Sequence, residues 1–323
     1  MKHLIHAASA AVMVLGFAQA SIADTYPSKP ITIIVPFSPG GASDNVARPL
    51  AQVMSKVMNE RVIVVNKVGA GGGIGMAFAS KAAPDGYTLM LGLPSISSIP
   101  VTDKMTGKAP SYSTDQFEAI ARITSDPTIV AIRSDSKWKN FADFLKDAKA
   151  NPGKISYSSA GMYSVSHISM LRLTHAAGID MLHVPYGGGG ELIMALRGGQ
   201  VELGSNTYGS LSQHMKAGKL RALIVQGSER LPELPDTPTT KELGYDATYE
   251  FWAGLFAPAG LPADVKTKLR DAVRKAVADP EFAEALKGSG TVVRYLDAPE
   301  FDKFWREDEK GQVAVLNRIG KVK

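Results

Sequence analysis

The sequence predicts an α/β protein with two lobes that are joined by two crossing strands. Short apolar runs rich in Ile and Val alternate with segments of helical periodicity, which is typical of lobes built on a largely parallel sheet. About 300 mature residues exceed the usual size of a single hydrophobic core. We therefore expect lobe 1 to comprise residues 24–127 and 226–323, and lobe 2 to comprise residues 128–225.

The N-terminal segment has the pattern of a secretory signal peptide, which we assign to residues 1–23. Lys2 precedes an apolar run that ends in small residues, and cleavage fits after Ala20 or after Ala23. No later stretch approaches the roughly 20 consecutive apolar residues of a membrane span. The chain also has no cysteine for a disulfide or a lipid anchor. These features predict a periplasmic protein that its own core stabilises.

The charge pattern and the histidines argue against several classes of function. The formal net charge is +5, and basic residues are interspersed with acidic ones rather than grouped with aromatics, which argues against nucleic-acid binding. The histidines beyond the signal peptide are His167, His175, His183 and His214. None has the spacing of a metal-ligand pair, so we expect neither a metal nor another cofactor.

The first strand-to-helix turn is unusually rich in glycine, proline and hydroxyl groups. The apolar run 31–35 leads into "PFSPGGASDN" (36–45), and apolar residues then recur at helical spacing from Val46. Ser43 or Asp44 can cap this helix. The N-terminus of a helix presents unpaired N–H donors that carry about half a positive charge. The turn therefore predicts an anion site without a cationic side chain.

A second turn of this kind lies in the predicted second lobe. The segment "ISYSSAGMYSVSH" (155–167) ends a strand in serines, turns at Gly161 and leads through Ser164 into a helix. If both turns face one crevice between the lobes, they form two opposed groups of donors. A small carboxylate fits between such groups.

Two other segments bear on the crevice and on the lobes. The glycine-rich segment "GAGGGIG" (69–75) does not have the spacing of a dinucleotide-binding motif, and it predicts either a tight turn or a border of the crevice. The apolar run 128–132 is expected to carry the chain into lobe 2. The run 220–227 is expected to bring it back.

Several motifs together resemble the Bug-type periplasmic receptors of tripartite tricarboxylate transporters. They include "YPSKPITIIVPFSPGGASD", "KAAPDGYTLMLG", "HVPYGGGGELIMALRGGQVEL", "LPDTPTTKELGY" and "FWAGLFAPAGLP", in that order along the chain. The resemblance implies a two-lobe Venus-flytrap fold of type II-like form. It also implies a receptor, which we expect to be a monomer, that captures a small carboxylate and delivers it to a membrane permease.

In this family the ligand carboxylates are held by the two turns described above, with ordered water helping. The resemblance therefore implies a binding site made of Phe37, Ser38, Gly41, Ala42, Ser43 and Asp44 from the first turn, and of Ser159, Gly161, Met162, Tyr163, Ser164 and His167 from the second. Asn206 lies where the family chain re-enters the cleft. The family often has glycine at the position of Tyr163, so this residue is a hint of an aromatic or bulkier acid.

Two other functions share some of these features. The same fold could present its closed form to a membrane histidine kinase, and the sequence does not separate this sensor role from transport. A serine hydrolase would use Ser159 with His167, but we identify no third acidic partner. The sequence also lacks a G-x-S-x-G nucleophile motif. We therefore expect a binding protein and not an enzyme.

Overall fold

The computed structural model describes residues 26–289 and 291–320 of the chain. The predicted signal peptide, residues 1–23, lies outside the described residues. Ten strands among the described residues form one sheet that continues from one lobe into the other. They are β1 (Ile31–Val35), β2 (Val62–Asn66), β3 (Thr88–Gly92), β4 (Phe117–Arg133), β5 (Ser156–Ser159), β6 (Leu182–Pro185), β7 (Leu203–Thr207), β8 (Leu220–Gln226), β9 (Glu250–Pro258) and β10 (Val293–Asp297).

Helices follow most of the strands, as the alternating sequence pattern predicts. They are α1 (Ala42–Met58), α2 (Gly73–Ala79), α3 (Ser95–Met105), α4 (Phe141–Ala150), α5 (Val165–Ala177), α6 (Gly189–Arg197), α7 (Tyr208–Lys216), α8 (Ala263–Ala278), α9 (Pro280–Ser289) and α10 (Ala298–Ile319). None of the helices in the described part of the chain has the length and apolar character needed to cross a bilayer.

The sheet of lobe 1 combines parallel and antiparallel strands in the order β2-β1-β3-β9-β4, and β10 lies beside β4. β1 pairs in parallel with β2 and β3, whereas β9 pairs antiparallel with β3 and β4. All residues of β1 except Thr32 are buried, as expected for a parallel strand that is covered on both faces. This arrangement places the carboxyl end of β1, and the turn after it, at one edge of the lobe.

The long strand β4 belongs to both lobes. Its residues 117–127 pair with β9, and its residues 128–133 pair with β7 and β8. The chain therefore crosses between the lobes at Pro127 and Thr128. In lobe 2 the strand order continues from β4 through β7 and β5 to β6.

The sequence predicts the return crossing in the run 220–227. β8, which occupies this run, pairs antiparallel with β4 along residues 128–133, the part of β4 that pairs within lobe 2. It ends at the boundary, where the amide of Tyr249 donates to the carbonyl of Gln226 at 2.8 Å. We therefore propose that the segment that leads into β9 makes the return crossing.

Residues between β8 and β9 pack on lobe 2. Thr239 forms an isolated bridge with Val225, and Ala247 is buried in the same apolar cluster as Trp138 and Phe144. The pairing of β4 supports the predicted first boundary after residue 127. We propose that lobe 2 extends to about Tyr249, and not only to residue 225 as the sequence suggested.

Gly254 in β9 provides a test of the packing of lobe 1. A Cβ added at this position would overlap the ring of Phe301 on α10. We therefore expect Gly254→Ala to lower the free energy of unfolding by about 1–3 kcal/mol, measured by urea denaturation. Gly311 on α10 is the matched control, because an added Cβ there meets nothing within 4 Å. Gly311→Ala should raise stability by about 0.5–1 kcal/mol, and a stabilised Gly254→Ala protein would contradict this packing.

Candidate functional site

A small cavity lies between the two lobes, and we call it the cleft cavity. Six of its lining residues belong to the site predicted from the sequence: Phe37, Gly41, Ala42, Ser43, Ser164 and Asn206. Seven more were not predicted: Leu93, Ala160, Val165, Ser166, Gly189, Leu192 and Phe251. The structure thus brings parts of both predicted turns to one enclosed space.

The N-terminus of α1 faces the cleft cavity with unpaired amide groups. The first backbone hydrogen bond of this helix runs from the amide of Asn45 to the carbonyl of Gly41, at 3.0 Å. The amides of Ala42 and Ser43 precede that bond, so they have no acceptor within the helix. Ser43 is buried, and its hydroxyl makes no hydrogen bond with any described residue. Three donors of α1 are therefore available to an anion.

The predicted capping of α1 by Ser43 or Asp44 is wrong. Gly41 occupies the cap position, and no side chain caps the helix. The carboxylate of Asp44 instead accepts hydrogen bonds from Arg48, Asn66 and the amide of Gly40. Burial alone would raise the pKa of Asp44, but the hydrogen bonds from Arg48 and Asn66 outweigh it and lower the pKa. Asp44 therefore organises the turn and does not line the cleft cavity.

The N-terminus of α5 presents a second group of donors. Ser164 caps this helix, and its hydroxyl accepts from the amide of His167 at 3.4 Å. The first backbone bond runs from the amide of Ile168 to the carbonyl of Ser164, so the amides of Val165 and Ser166 have no acceptor within the helix. The hydroxyl of Ser166 holds the amide of Ala160 at 2.9 Å and fixes the preceding turn.

A third helix N-terminus, that of α6, also reaches the cleft cavity, and it was not predicted from the sequence. Gly188 is the cap residue, and Gly189 lines the cavity. The side chain of Asn206 lies beside Gly189. Its oxygen accepts from the amide of Thr207, while its nitrogen Nδ2 makes no hydrogen bond with the described residues. Four consecutive glycines before an apolar helical pattern were the signal that could have revealed this third group.

The rest of the cavity wall is apolar. The side chains of Phe37, Leu93, Leu192 and Phe251 line it, and all four residues are buried. No lysine, arginine or histidine occurs among the lining residues of this cavity. Helix N-termini and neutral donors are therefore the sources of positive potential in the cleft cavity.

Seven predicted site residues lie near the cleft cavity but do not line it: Ser38, Asp44, Ser159, Gly161, Met162, Tyr163 and His167. Tyr163 has a φ of 57°, a conformation that favours glycine. Its ring is only 6% exposed and packs against His167 with a centroid distance of 5.5 Å. Tyr163 therefore gives no support to an aromatic ligand. Met162 points outward and is 44% exposed.

The two lobes contact each other through glycine backbones on either side of the cleft cavity. A Cβ on Gly41 of lobe 1 would lie 3.3 Å from the amide nitrogen of Gly189 in lobe 2. A Cβ on Gly161 would lie 2.8 Å from the Cα of Gly71, which belongs to the glycine-rich segment 69–75. This segment therefore borders the crevice, one of the two alternatives that the sequence left open. The structure is a closed form of the two lobes.

The residues proposed for a hydrolase do not form the expected pair. The hydroxyl of Ser159 contacts Nε2 of His183 at 2.6 Å, and not His167. The rings of His167 and His183 stack at 3.9 Å, and Ser159 is fully buried. Burial lowers the pKa of His167 well below its usual value and lowers the pKa of His183 to about 4. These groups form a neutral core stack, and no carboxylate in the described part of the chain hydrogen-bonds to His183.

The histidine stack predicts a pH-dependent contribution to stability. Because the pKa of His183 falls from 6.5 to about 4 on folding, the unfolded chain binds more protons between these pH values. The contribution of His183 is therefore present above pH 6.5 and is lost as the pH falls towards 4. Burial raises the pKa of Asp126 to about 7, which acts in the opposite direction, so the comparison must be between variants.

We expect His183→Gln to be less stable than the wild type at about pH 7.5 and the difference to shrink at about pH 4.5. Chemical denaturation of both proteins at the two pH values measures the difference. A constant or growing difference at the lower pH would contradict the neutral state of the buried ring.

A side-chain hydrogen bond also joins the lobes and predicts an effect on closure. The hydroxyl of Ser38 in lobe 1 donates to Glu191 in lobe 2 at 2.8 Å, and the amide of Gly187 donates to the other carboxylate oxygen at 2.9 Å. We expect Glu191→Ala to weaken the closed form by about 1 kcal/mol and to increase the radius of gyration in small-angle scattering. Glu202→Ala is the control, because Glu202 contacts Ser156 within lobe 2. Equal radii for wild type and Glu191→Ala would disprove this role.

Comparisons with known proteins agree with this architecture. Residues 46–321 match the family model described as Tripartite tricarboxylate transporter family receptor. Protein BugT of Bordetella pertussis is 30% identical over 295 residues, which cover 90% of this chain and 89% of BugT. The structure of the periplasmic binding protein BugD is similar with a TM-score of 0.85 and 33% identity, over 91% of this chain and 98% of BugD. MatC from Rhodopseudomonas palustris, solved with bound malate, has a TM-score of 0.83 and 29% identity over 90% of this chain and 99% of MatC.

These similarities confirm two predictions made from the sequence. The two-lobe α/β fold is that of periplasmic binding proteins, because this chain superimposes on 98% of BugD with a TM-score of 0.85. The resemblance to Bug-type receptors is confirmed by the family model and by BugT. This chain therefore belongs to the tripartite tricarboxylate transporter receptor family.

Proposed function

We propose that this chain is a periplasmic solute-binding receptor that captures a small carboxylate in the cleft cavity and delivers it to a membrane permease. The observation that carries the proposal is the convergence of three helix N-termini, those of α1, α5 and α6, on one buried cavity without a cationic side chain. Unpaired amides and neutral donors of this kind stabilise a carboxylate without the desolvation of a buried cation.

The number of donors is sufficient for a receptor. Each hydrogen bond to a charged group contributes about 1.5–3 kcal/mol, so three or four of them provide micromolar affinity after the cost of association is subtracted. The hydroxyl of Ser43 and Nδ2 of Asn206 add to the amides of the helix N-termini. Because the donors come from both lobes, a bound carboxylate favours the closed form.

The nature of the ligand is supported by the lining of the cavity and by one relative. The apolar wall of the cleft cavity suits the carbon chain of a small organic acid. MatC was solved with malate, a small dicarboxylate. Three separate groups of donors can hold more than one carboxylate group, and we infer a di- or tricarboxylate or a compact acid of similar size.

Delivery to a permease and residence in the periplasm rest on the family. The sequence model of this family describes receptors of a tripartite tricarboxylate transporter, and BugD is a periplasmic binding protein. We infer that the receptor acts as a monomer, since residues from both lobes of one chain line the cleft cavity. We also infer that it binds its ligand without chemical turnover, because Ser159 is buried against His183.

A thermal-shift screen of carboxylic acids tests the proposal directly. A ligand at 100 times its dissociation constant stabilises the protein by about 2.7 kcal/mol, which raises the melting temperature measurably. Calorimetric titration of the best acid should then show that Ser43→Ala and Ser164→Ala each weaken binding by about 10-fold or more. Removal of a hydroxyl donor or of the α5 cap is the physical reason.

His214→Ala is the control for this experiment, since His214 lies in the last turn of α7 and does not line the cleft cavity. Its affinity should equal that of the wild type. If all three variants bound the acid with equal affinity, the cleft cavity would not be the binding site. Formation of a product at a rate that depends on the protein would show that the chain is an enzyme.

A further inference from the structure

The turn that precedes α5, residues 161–164, contacts lobe 1 at two points, and we call it the latch turn. A Cβ on Gly71 would overlap the carbonyl oxygen of Met162. The hydroxyl of Ser98 in α3 donates to the carbonyl of Tyr163 at 3.3 Å. α3 packs on α2 and α10 of lobe 1, whereas α5 packs on β5 and β7 of lobe 2. Both contacts therefore join the lobes.

These two contacts are buried. Ser98 is fully buried, and Tyr163 is also shielded from water. A hydrogen bond in such surroundings is electrostatically stronger than the same bond in water. Gly71 adds a close contact that leaves no room for a side chain, because a Cβ there would also lie 3.4 Å from the amide nitrogen of Ser164. Separation of the lobes therefore breaks a buried hydrogen bond and a close main-chain contact together.

The backbone of Tyr163 has a conformation that few residues with a side chain adopt. Its φ of 57° lies in the left-handed region, where such a residue persists only if its surroundings fix it. The amide of Tyr163 donates to Nδ1 of His167 at 2.7 Å, and its carbonyl accepts from Ser98. Ser98 therefore supplies one of the hydrogen bonds that fix this residue, and it does so from the other lobe.

The hydrogen bond between Ser98 and Tyr163 can break without leaving the hydroxyl unpaired. The hydroxyl oxygen of Ser98 also lies 3.4 Å from the carbonyl oxygen of Ser95, one turn earlier in α3. When the lobes separate, the hydroxyl can donate to Ser95 alone. This second acceptor lowers the cost of opening, because a donor left without any partner would cost more. The contact is therefore suited to form and break repeatedly.

Both partners of this hydrogen bond are joined to the wall of the cleft cavity. Ser164, the residue after Tyr163, caps α5 and lines the cavity. Leu93 lies two residues before the start of α3 and also lines the cavity. Neither Gly71 nor Ser98 is among the lining residues of this cavity. The two residues therefore influence the position of α5 relative to lobe 1 without belonging to the wall that a ligand would contact.

We propose that the latch turn holds part of the ligand-free receptor in the closed form, and that Gly71 and Ser98 are positioning residues that set the affinity for the ligand. The second part of this proposal rests on the function proposed for the cleft cavity. A ligand that binds only the closed form has an apparent dissociation constant equal to the intrinsic constant divided by the closed fraction. A variant that lowers the closed fraction should therefore weaken binding by the same factor.

The distance between two spin labels on different lobes tests the proposal without any ligand. The chain has no cysteine, so Phe78→Cys and Met194→Cys provide two unique labelling sites. Both residues are exposed, Phe78 in α2 of lobe 1 and Met194 in α6 of lobe 2. Double electron–electron resonance should give a short distance for the closed form and a longer one for the open form. Ser98→Ala should lower the ratio of closed to open molecules by about 2- to 10-fold.

Gly71→Ala should lower the same ratio by about 10-fold or more, because the added Cβ overlaps the latch turn. Gly107→Ala is its control, since Gly107 also has a positive φ, of 78°, but an added Cβ there meets nothing within 4 Å. Ser80→Ala is the control for Ser98, because the hydroxyl of Ser80 donates to the carbonyl of Ala77 within lobe 1. Neither control should change the ratio.

The proposal is overturned if the wild type shows no closed fraction without a ligand, or if Ser98→Ala and Gly71→Ala both keep the wild-type ratio. Calorimetric titration of the same proteins with succinate and citrate tests the second part. Each variant should weaken binding by the factor by which it lowers the closed fraction, and equal affinities at different closed fractions would overturn the role in affinity. If neither acid bound at about 10 mM, the function proposed for the cleft and the role in affinity would both fail for these acids. The label distances would still decide whether the latch turn holds the closed form.

Discussion

The close approach of main chain to main chain between the lobes is the constraint on which the cleft depends. Gly41 meets Gly189, and Gly161 meets Gly71, at distances that leave no room for a side chain. These contacts bring the N-termini of α1, α5 and α6 close enough to share one small cavity. Amide donors are short and rigid, unlike the long side chains of lysine and arginine. An anion site made of them therefore requires backbones that nearly touch.

The connection between the lobes is built to hold this geometry. β4 runs from the sheet of lobe 1 into that of lobe 2 without a break in the strand, so it links the two lobes directly. At the boundary, the side chain of Gln226 donates to the carbonyls of Ser169 and Ala247, at 2.9 and 3.0 Å, and its oxygen accepts from Thr128. These residues are buried and mutually satisfied. The network ties α5 to the crossing strands, so movement of lobe 2 moves the donor end of α5 as well.

The cleft cavity provides positive potential without a cationic side chain. Its lining residues offer helix N-termini and neutral donors, and none of them is a lysine, arginine or histidine. This arrangement favours a ligand with negative charge only.

Local patterns in the sequence were sufficient for the alternation of strands and helices and for the turns that begin α1 and α5. Both features depend on short-range periodicity and on glycine, proline and serine at helix starts, which neighbouring residues determine. The two-lobe fold was predicted from the length of the chain and the order of its segments. The tetraglycine segment before α6 was visible as well, but its position beside Asn206 and Gly41 depends on how the lobes close. Tertiary packing also decides the positions of two other predicted site residues. The ring of Tyr163 is buried in the core, and Ser159 contacts His183 instead of His167. The hydrogen bond between Tyr249 and Gln226 and the wall of the cavity come from residues far apart in the chain, and their contacts follow from packing rather than from any local preference.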